Sequence, residues 1–391
     1  MNSLPATQDT FTQDTLLLIT TSYPRSGDGS EAAGSFMADL AMELAHRVPV
    51  RILAPGNAAS MENAAPNVSV WRFPAPQGGL SNLRLGNPLD VLRIFAVLRS
   101  GRRAAMRATQ DGRVKHAMAC WALPSGAWAN RLLRKRRIPY SIWVLGSDVW
   151  SLGRVPIIRR VLAFVMRAAS HRYADGLKLA QDSKQICGRP VEFLPTTRKL
   201  ETTDPPPPAV VPPYNLVFIG RWHPNKGIDL LLDALMMLDD ADWKRIDRVA
   251  IYGGGPMQNL VHAKSKALVF AGRPLDVGGF IPKLQAEQAI MRADYLIIPS
   301  RIESIPVVFS DAMKLGRPVI ATPVGDLPKL LGQSEECGIL AASVDADGIA
   351  NALRKALATK PDTFANGVRR QAANFDLSRI ADRIVNEVMG N

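Results

Sequence analysis

A short basic loop bounded by glycines stands out in the second half of the chain. It reads Gly220-Arg-Trp-His-Pro-Asn-Lys-Gly227 and separates a predicted strand at residues 215–219 from a predicted helix. Gly220 would let the backbone approach a ligand closely, and the helix start offers N–H groups without intrahelical partners. Arg221 and Lys226 add two positive charges. The loop is a candidate diphosphate site, and the simpler alternative is a pair of solvated basic side chains.

Two carboxylates lie eight residues apart further along the chain. Glu303 falls in a loop after a predicted strand, and Asp311 falls about two turns into the helix that Pro306 is expected to begin. Each carboxylate can accept hydrogen bonds from a pair of hydroxyls, while the positive end of the helix favours a phosphate. A molecule with hydroxyls at both ends and an anionic middle fits this pattern. The sequence therefore predicts a sugar-nucleotide site.

Another glycine-rich loop, Gly253-Gly-Gly-Pro256, follows the next predicted strand. Gly254 and Gly255 would again allow close backbone approach. The loop lacks the third glycine of the G-x-G-x-x-G pattern, and no suitable acid follows it, which argues against a nicotinamide cofactor. Two Asp-x-Asp sequences, at residues 240–242 and 345–347, imitate a metal-binding motif. They lie beside helical stretches, so we expect solvated surface acids and no metal site.

The elements that must position these loops alternate between strand and helix in both halves. Continuous apolar strands between amphipathic helices are typical of parallel sheets covered on both faces. We therefore expect an α/β protein with two Rossmann-like, doubly wound domains that face each other across a ligand-binding cleft. The predicted strands are residues 15–21, 50–54, 141–145, 215–219, 248–252, 268–271, 295–298 and 318–321.

A proline-rich segment marks the division between the two halves. Six of the ten residues from Asp204 to Pro213 are proline, a composition that excludes helix and interior strand. The predicted organisation is an N-terminal Rossmann-like domain over residues 1–200, a linker over 201–214 and a second Rossmann-like domain over 215–375. A last helix over 376–391 could pack back on the first domain.

The composition is that of a globular, basic protein. Of 391 residues 47% are hydrophobic, and 48 lysines and arginines outnumber 35 acids. Three widely spaced cysteines exclude a disulfide scaffold and a cysteine-rich zinc site. The first fifteen residues lack the features of a signal peptide, and no window reaches about 18 consecutive apolar residues. A cytoplasmic protein without a spanning helix is expected.

At this point the second half resembles a known family. Residues 300–325, with Glu-x7-Asp where the family has Glu-x7-Glu, and the loops at 220–227 and 253–256 resemble retaining GT4-type (group 1) glycosyltransferases of the GT-B fold. In the first half, Gly34 resembles part of the family's glycine-rich first loop. The stretch Cys120-Trp-Ala-Leu-Pro-Ser-Gly126 resembles His-Trp-Ala-Leu-Pro-x-Gly, and Gly146-Ser-Asp148 resembles the end of His-Gly-Ser-Asp.

The resemblance implies transfer of a hexose-type residue, with retention, from a UDP- or GDP-linked sugar without a metal. Arg221 and Lys226 would bind the diphosphate and stabilise the leaving nucleotide, Glu303 would contact the donor sugar, and Asp311 would hold the ribose. Further donor contacts would come from Gly34, Gly220, Gly254, Gly255, Ser304, Ile305, Pro306 and Val307. The acceptor side would include Trp121, Gly146, Ser147 and Asp148.

Two departures concern the acceptor side, where Cys120 and Leu145 stand in place of family histidines. They indicate either a distinct acceptor subfamily or reduced catalytic power. The alternative function is a non-catalytic, sugar-nucleotide-binding GT-B subunit, whereas the Glu-x7-Asp block disfavours a GT-B epimerase. His116 is more readily a structural residue than a base. Asp148 either orients the acceptor or caps the following helix.

The positive charge is concentrated in the first half. Residues 1–195 carry a net charge of +12 and residues 196–391 a net charge of +1. Arginine-rich amphipathic helices can lie on an anionic membrane surface. One hypothesis is a peripheral protein of the inner membrane face that glycosylates a lipid-linked saccharide for a polysaccharide or glycolipid. The other is a set of ordinary surface helices. No nucleic-acid recognition motif is present, so nucleic acid is not an expected partner.

Overall fold

Two α/β units make up the chain in the computed structural model, which describes residues 13–24, 34–76, 87–202, 204–332 and 336–390. One unit contains Met1–Pro195 and Leu377–Asn391, and the other contains Thr196–Asp376. The first twelve residues, where no signal peptide is expected, and residues 25–33, which precede Gly34, lie outside the described residues.

The first unit is built on a sheet whose described strands run in the order β3-β4-β2-β1-β5-β6-β7-β8. All neighbours are parallel except β3 and β4, which form an antiparallel hairpin at one edge. The strands are β1 (Thr15–Ile19), β2 (Val50–Gly56), β3 (Ser60–Ala65), β4 (Val68–Pro74), β5 (Val114–Cys120), β6 (Tyr140–Val144), β7 (His171–Ala174) and β8 (Glu192–Phe193). The helices are α1 (Ser35–Leu44), α2 (Pro88–Ala108), α3 (Ser125–Arg136), α4 (Ser147–Trp150), α5 (Pro156–Ala168) and α6 (Leu177–Cys187).

The second unit is built on a parallel sheet with the described order β11-β10-β9-β12-β13-β14. Its strands are β9 (Tyr214–Arg221), β10 (Ile246–Gly254), β11 (Leu275–Gly278), β12 (Tyr295–Ile298), β13 (Val319–Ala321) and β14 (Gly338–Leu340). Its helices are α7 (Ile228–Met236), α8 (Asp240–Trp243), α9 (Gln258–Phe270), α10 (Lys283–Arg292), α11 (Val307–Lys314), α12 (Leu327–Leu331), α13 (Ala346–Ala358) and α14 (Ala365–Asn374). The strand order reverses between β9 and β12, and ligands of open α/β sheets bind at such a point.

The last helix, α15 (Leu377–Val388), packs on the first unit. Leu377, Ile380, Ala381 and Ile384 are buried at a spacing of three and four residues, together with α1. Arg383 donates from Nη1 to the carbonyl oxygen of Phe193 at 2.7 Å. Each fully buried Leu or Ile contributes roughly 1.5–3 kcal/mol, so this short amphipathic stripe is sufficient to hold the chain end.

The proline-rich segment packs along the second unit. The backbone N–H of Ala209 donates to Asp294 Oδ1 at 2.6 Å, and Asn215 N donates to Asp294 Oδ2 at 2.7 Å. Arg317 is buried and donates from Nη2 to the carbonyl oxygen of Pro206 at 2.6 Å. Asp294 and Arg317 thus bind backbone groups of the proline-rich segment, and Asp294 also binds the second residue of β9.

One predicted strand is wrong. Residues 268–271 belong to the last turn of α9 and its C-cap, and the strand of that region, β11, follows four residues later. Val261, Ser265 and Leu268 are buried on one face of α9, whereas Val269 and Phe270 are exposed. A four-residue apolar run does not distinguish a strand from a helix end, and here the helical period continues through it.

Candidate functional site

The two loops that carry the predicted chemistry follow β9 and β12, the neighbouring strands at the reversal of strand order in the second unit. Arg301 joins them. Its guanidinium makes a bidentate ion pair with Asp229 at 2.8 and 2.7 Å and also donates to the carbonyl oxygen of Pro224 at 2.7 Å. This pairing holds the pKa of Asp229 below its ordinary value. Arg301 was not singled out from the sequence, where only its place beside Glu303 pointed to it.

Lys226 and Glu303 form an ion pair between these loops. Ser300 Oγ donates to the same carboxylate oxygen, Glu303 Oε1, at 3.0 Å. Gly227 makes this close approach possible, because it has φ +68° and a Cβ placed there would lie 1.8 Å from the carbonyl oxygen of Pro299. The structure therefore brings together two of the three residues predicted as catalytic.

The third of them, Arg221, lies at the end of β9 and is exposed. In the sheet register Gly220 pairs with Gly253 and Arg221 pairs with Gly254. The neighbouring Trp222 N donates to the carbonyl oxygen of Gly254 at 2.8 Å. The glycine loops at 220 and 253–255 thus lie side by side at the carboxyl ends of β9 and β10, where a ligand can approach their backbone.

Helix α11 begins beside Glu303. Pro306 is its N-cap residue, and Ser304, Ile305 and Pro306 are buried immediately before the first turn. Gly325, with φ +57°, packs closely against the loop that precedes α11. A Cβ at this position would lie 2.2 Å from the carbonyl oxygen of Glu303. The N–H groups of the first helical turn have no intrahelical acceptor and carry partial positive charge. The stretch Ser304–Val307 can therefore face an anion.

Asp311 is fully buried on α11, where Arg198 Nη2 donates to its Oδ2. Its other oxygen, Oδ1, has no hydrogen-bond partner among the described residues. Arg198 was not anticipated, and no local signal pointed to it, since it lies 113 residues earlier in the chain. The ribose contact of Asp311 stays a prediction, and the carboxylate is already engaged on one side.

In the first unit, the residues predicted for the acceptor side cluster after β5 and β6. Trp121 has φ +65°, and its ring packs edge-on against Phe36, which follows Gly34 at the start of α1. Gly146, with φ +99°, is the N-cap residue of α4, and Ser147 is exposed. Gly34 and Trp121 follow β1 and β5, the strands at the reversal of strand order in this sheet.

Asp148 connects the loops after β5 and β6. Its Oδ2 accepts a hydrogen bond from Ala122 N at 2.6 Å, and its Oδ1 accepts one from Val149 N at 3.1 Å. Burial raises the pKa of the carboxyl to about 6, although these backbone donors favour its charged form. The capping alternative is wrong, because Gly146 occupies the N-cap position of the helix.

The residues at the two family-histidine positions have no acid–base role here. Cys120 is fully buried, and burial raises the pKa of its thiol, so the group stays neutral. Leu145 is half-buried against the apolar core beside α1. His116 is buried within β5, and its pKa is lowered to about 4 by burial and by His171, which leaves its imidazole neutral.

The Asp-x-Asp sequences are engaged in local contacts. Asp240 pairs with Arg273 at 2.7 Å and Asp242 with Arg354 at 3.0 Å, while Asp345 accepts from Gly348 N at 2.8 Å at the start of α13. Among the described residues, no group of three His, Cys, Asp or Glu side chains is placed to hold a metal ion. None of the described helices is both long and apolar enough to cross a membrane.

Comparison with known proteins finds a family match within the second unit. Residues 213–359 match the family model described as Glycosyl transferases group 1. A protein of Bacillus subtilis (strain 168), named for teichuronic acid biosynthesis as the glycosyltransferase TuaC, is 28% identical over 245 residues. That match covers 58% of this chain and 58% of TuaC, so the chain spans less than two thirds of this relative's length.

Solved structures agree over nearly the whole chain. Sucrose-phosphate synthase from Thermosynechococcus elongatus has a TM-score of 0.73 at 18% identity, covering 95% of this chain and 97% of that one. Anabaena Alr3699/HepE, in complex with UDP-glucose, has a TM-score of 0.70 at 15% identity, covering 96% and 100%. At these identities the likeness is one of fold, and both neighbours are GT-B glycosyltransferases. The expected fold is confirmed: the chain carries a group 1 (GT4-type) glycosyltransferase domain over residues 213–359 and has the GT-B fold.

Proposed function

We propose that the protein is a retaining glycosyltransferase that moves a hexose-type sugar from a nucleoside-diphosphate sugar to a hydroxyl of a saccharide or lipid-linked saccharide. The observation that carries the proposal is the Lys226–Glu303 ion pair, set between the first turn of α11 and the loop after β9. A diphosphate needs cationic and N–H donors, and a sugar needs a carboxylate acceptor. Both occur together at the strand reversal of the second unit.

The donor is a UDP- or GDP-linked sugar. Arg221 and Lys226 supply positive charge for the diphosphate, and the N-terminus of α11 supplies partial charge, so the proposed reaction needs no metal. HepE, one of the neighbours of the same fold, was solved in complex with UDP-glucose, which is consistent with a nucleotide-sugar ligand for this chain.

The Lys226–Glu303 pair is proposed to exchange partners when the donor binds. A phosphate oxygen takes over the Lys226 ammonium, which leaves the Glu303 carboxylate to accept hydrogen bonds from sugar hydroxyls. Ser300 keeps its hydrogen bond to Glu303 and so holds the side chain in place. Donor binding would thus switch two charged groups from each other to the ligand without moving the backbone.

The transfer follows a front-side course. The bond between the anomeric carbon and the phosphate oxygen breaks, and the acceptor oxygen bonds to that carbon on the same face. The acceptor proton passes to the departing phosphate oxygen, so no protein base is required. Arg221 and Lys226 stabilise the negative charge that develops on the leaving nucleoside diphosphate, which is where preorganised charge contributes most to rate.

The proposed acceptor places the protein at the cytoplasmic face of a membrane, in polysaccharide or glycolipid biosynthesis. TuaC, one of the relatives, is named for teichuronic acid biosynthesis. Gly146, Ser147, Asp148 and Trp121 remain the proposed acceptor-side residues, with Ser147 the exposed hydroxyl among them.

The second candidate function is a non-catalytic sugar-nucleotide-binding subunit. Cys120 and Leu145 favour it, because neither can supply the imidazole that family members have at these positions. It predicts nucleotide binding without turnover, whereas the enzyme predicts both.

The test is to measure UDP and GDP binding by calorimetry and nucleoside-diphosphate release from a panel of UDP- and GDP-hexoses with acceptor extracts. Lys226→Ala is expected to weaken nucleotide binding by about tenfold or more, since it removes a charge-assisted contact. Lys266→Ala, which removes an exposed lysine on α9, is the control and should change nothing. Binding without turnover on every acceptor would support the subunit. Binding and turnover that both survive Lys226→Ala would rule out the diphosphate site.

A further inference from the structure

Helices α2, α3, α5 and α6 cover one face of the first unit's sheet and share one apolar core cluster. Their buried residues point to that sheet, which leaves the opposite side of each helix exposed. On α2 the buried positions include Val97, Gly101, Ala104, Ala105 and Ala108. The exposed side of this helix layer is the outer helix face, and it carries Arg102, Arg103, Arg107, Arg131, Leu92, Phe95, Ile157, Val161 and Phe164.

Four arginines line an open hollow of about 540 Å³ on this face. Arg102, Arg103 and Arg107 come from α2, and Arg131 comes from α3; Met106 and Pro74 complete its apolar part. All four arginines are exposed, and none forms an ion pair with a side chain in the described ranges. Four guanidinium groups around one hollow form a site for a phosphate-type anion.

Apolar side chains lie exposed on the same helices. On α5, Ile157, Val161 and Phe164 are 73%, 43% and 53% exposed and follow one another at helical spacing along a single stripe. On α2, Leu92 and Phe95 are 66% and 65% exposed and lie about two to three turns before Arg102, the first arginine of the hollow. Large apolar groups exposed next to unpaired arginines are typical of a surface that contacts a membrane interface.

The charge around these side chains has one sign. Between Val91 and Ala174, seventeen lysines and arginines accompany two aspartates, of which Asp111 is exposed. Asp148 is buried, and Asp111 pairs with Arg51, a buried side chain of β2. The exposed Asp111 carboxylate is therefore compensated by ion pairs with Arg51 and Arg113, and the stretch keeps a net charge of +15 that favours an anionic partner.

We propose that the outer helix face docks on an anionic phospholipid bilayer, with lipid phosphates in the arginine hollow and Ile157, Val161 and Phe164 in the boundary between headgroups and acyl chains. The docking proposal rests on the proposed function only in assuming a lipid-linked acceptor. The outer helix face would bring the protein to the membrane that holds this acceptor. Charge complementarity supplies the attraction, and the apolar stripe is the part that a phosphate backbone or a soluble polyanion would not use.

The test is vesicle co-sedimentation of the full chain at low and high salt. Vesicles of phosphatidylcholine alone are compared with vesicles containing about one third phosphatidylglycerol. We expect binding only to the anionic vesicles, weakened by salt. Arg103→Gln/Arg107→Gln should reduce partitioning by about tenfold or more, at about fivefold per charge near the surface. Ile157→Gln/Phe164→Gln should also reduce partitioning onto the anionic vesicles, and by a similar factor at low and high salt.

Matched variants on the second unit provide the controls. Lys266→Gln/Lys360→Gln removes two exposed cations, and Phe270→Gln removes an apolar side chain that is 95% exposed. Both should bind vesicles as the unmodified protein does. Equal recovery on neutral and anionic vesicles, or equal loss in the control variants, would overturn the docking surface. So would binding to duplex DNA that depends on the arginines but not on Ile157 and Phe164, because it would identify a nucleic-acid surface.

The vesicle experiment tests the docking surface separately from the proposed transfer activity. Nucleotide binding is measured on the same variants in solution, where the outer helix face plays no part. A surface variant that loses vesicle binding but keeps its UDP or GDP affinity reports on the docking surface alone. A Lys226→Ala variant that keeps vesicle binding but loses nucleotide affinity reports on the nucleotide site alone. Thermal unfolding of each variant shows that the fold is intact.

Discussion

The guanidinium of Arg198 donates a hydrogen bond to Oδ2 of Asp311, a side chain that is completely buried on α11. One turn later on the same helix, Lys314 donates to Thr197 Oγ1 at 2.7 Å and to the carbonyl oxygen of Arg198. Two turns of α11 thus hold the segment that begins the second unit. A ribose hydroxyl that bound Asp311 would share the carboxylate with Arg198 and use Oδ1, which has no hydrogen-bond partner among the described residues.

Replacing Arg198 by methionine should destabilise the protein. The substitution leaves the Asp311 carboxylate buried without its cation, and breaking a buried pair from one side costs about 3 kcal/mol or more. Urea unfolding should therefore give a lower midpoint at an unchanged slope. The double variant Arg198→Met/Asp311→Asn should recover part of the loss, because the buried charge is gone.

An exposed ion pair provides the comparison. Arg273→Met removes the partner of Asp240, whose side chain is 81% exposed, together with a cation–π contact to Trp243, and should cost less than about 2 kcal/mol. If Arg198→Met were no more costly than Arg273→Met, Asp311 would not depend on Arg198.

Asp148 should make stability fall as pH rises through the weakly acidic range. Its folded pKa of about 6 lies above the ordinary value of 3.8, so the folded state binds its proton more tightly than the unfolded state. This contribution is present below pH 3.8 and is lost as the pH rises to 6. The difference amounts to about 3 kcal/mol at 1.36 kcal/mol per pKa unit.

The measurement compares the free energy of unfolding of the unmodified protein with that of Asp148→Asn from pH 4 to 7. The free energy of unfolding of the unmodified protein, relative to that of Asp148→Asn, should fall as the pH rises across this interval, because asparagine does not titrate. A difference that stays constant with pH would mean that Asp148 has an ordinary pKa.

Glu303→Gln should separate nucleotide binding from transfer. The substitution removes the ion-pair partner of Lys226 but keeps a side chain of similar size, so UDP or GDP affinity should be retained or slightly increased. Sugar transfer should fall by about a hundredfold, since the amide accepts hydrogen bonds from the donor sugar less strongly than the carboxylate does. Calorimetry and turnover are measured on the same sample, and unchanged turnover would remove Glu303 from the catalytic group.

Gly227→Ala should damage both stability and nucleotide binding. Its φ of +68° disfavours any side chain, and the added Cβ would meet the carbonyl oxygen of Pro299 at 1.8 Å. The loops after β9 and β12 would have to separate, at a cost above about 3 kcal/mol. Gly272→Ala is the matched control, because Gly272 has φ +75° with nothing within 4 Å of the Cβ position. Thermal unfolding should show a loss of about 1 kcal/mol there, and equal losses at both positions would refute the close approach.

Much of the site could be read from local sequence. Gly220, Lys226 and Glu303 lie in loops between a strand and a helix, and this pattern follows from apolar periodicity and from glycine chemistry, which short segments carry themselves. The fold class follows in the same way from the alternation of strands and helices. At residues 268–271 the same reasoning failed, because so short a run fits either element.

The tertiary structure alone decided which groups meet. Strand order places the loops after β9 and β12 side by side, which pairs Lys226 with Glu303 and lets Arg301 bind Asp229. Arg198 reaches Asp311 across 113 residues, and Asp148 binds a backbone N–H of the loop after another strand. These contacts depend on the packing of distant segments, so no local pattern encodes them, and burial then sets the charge state of each group.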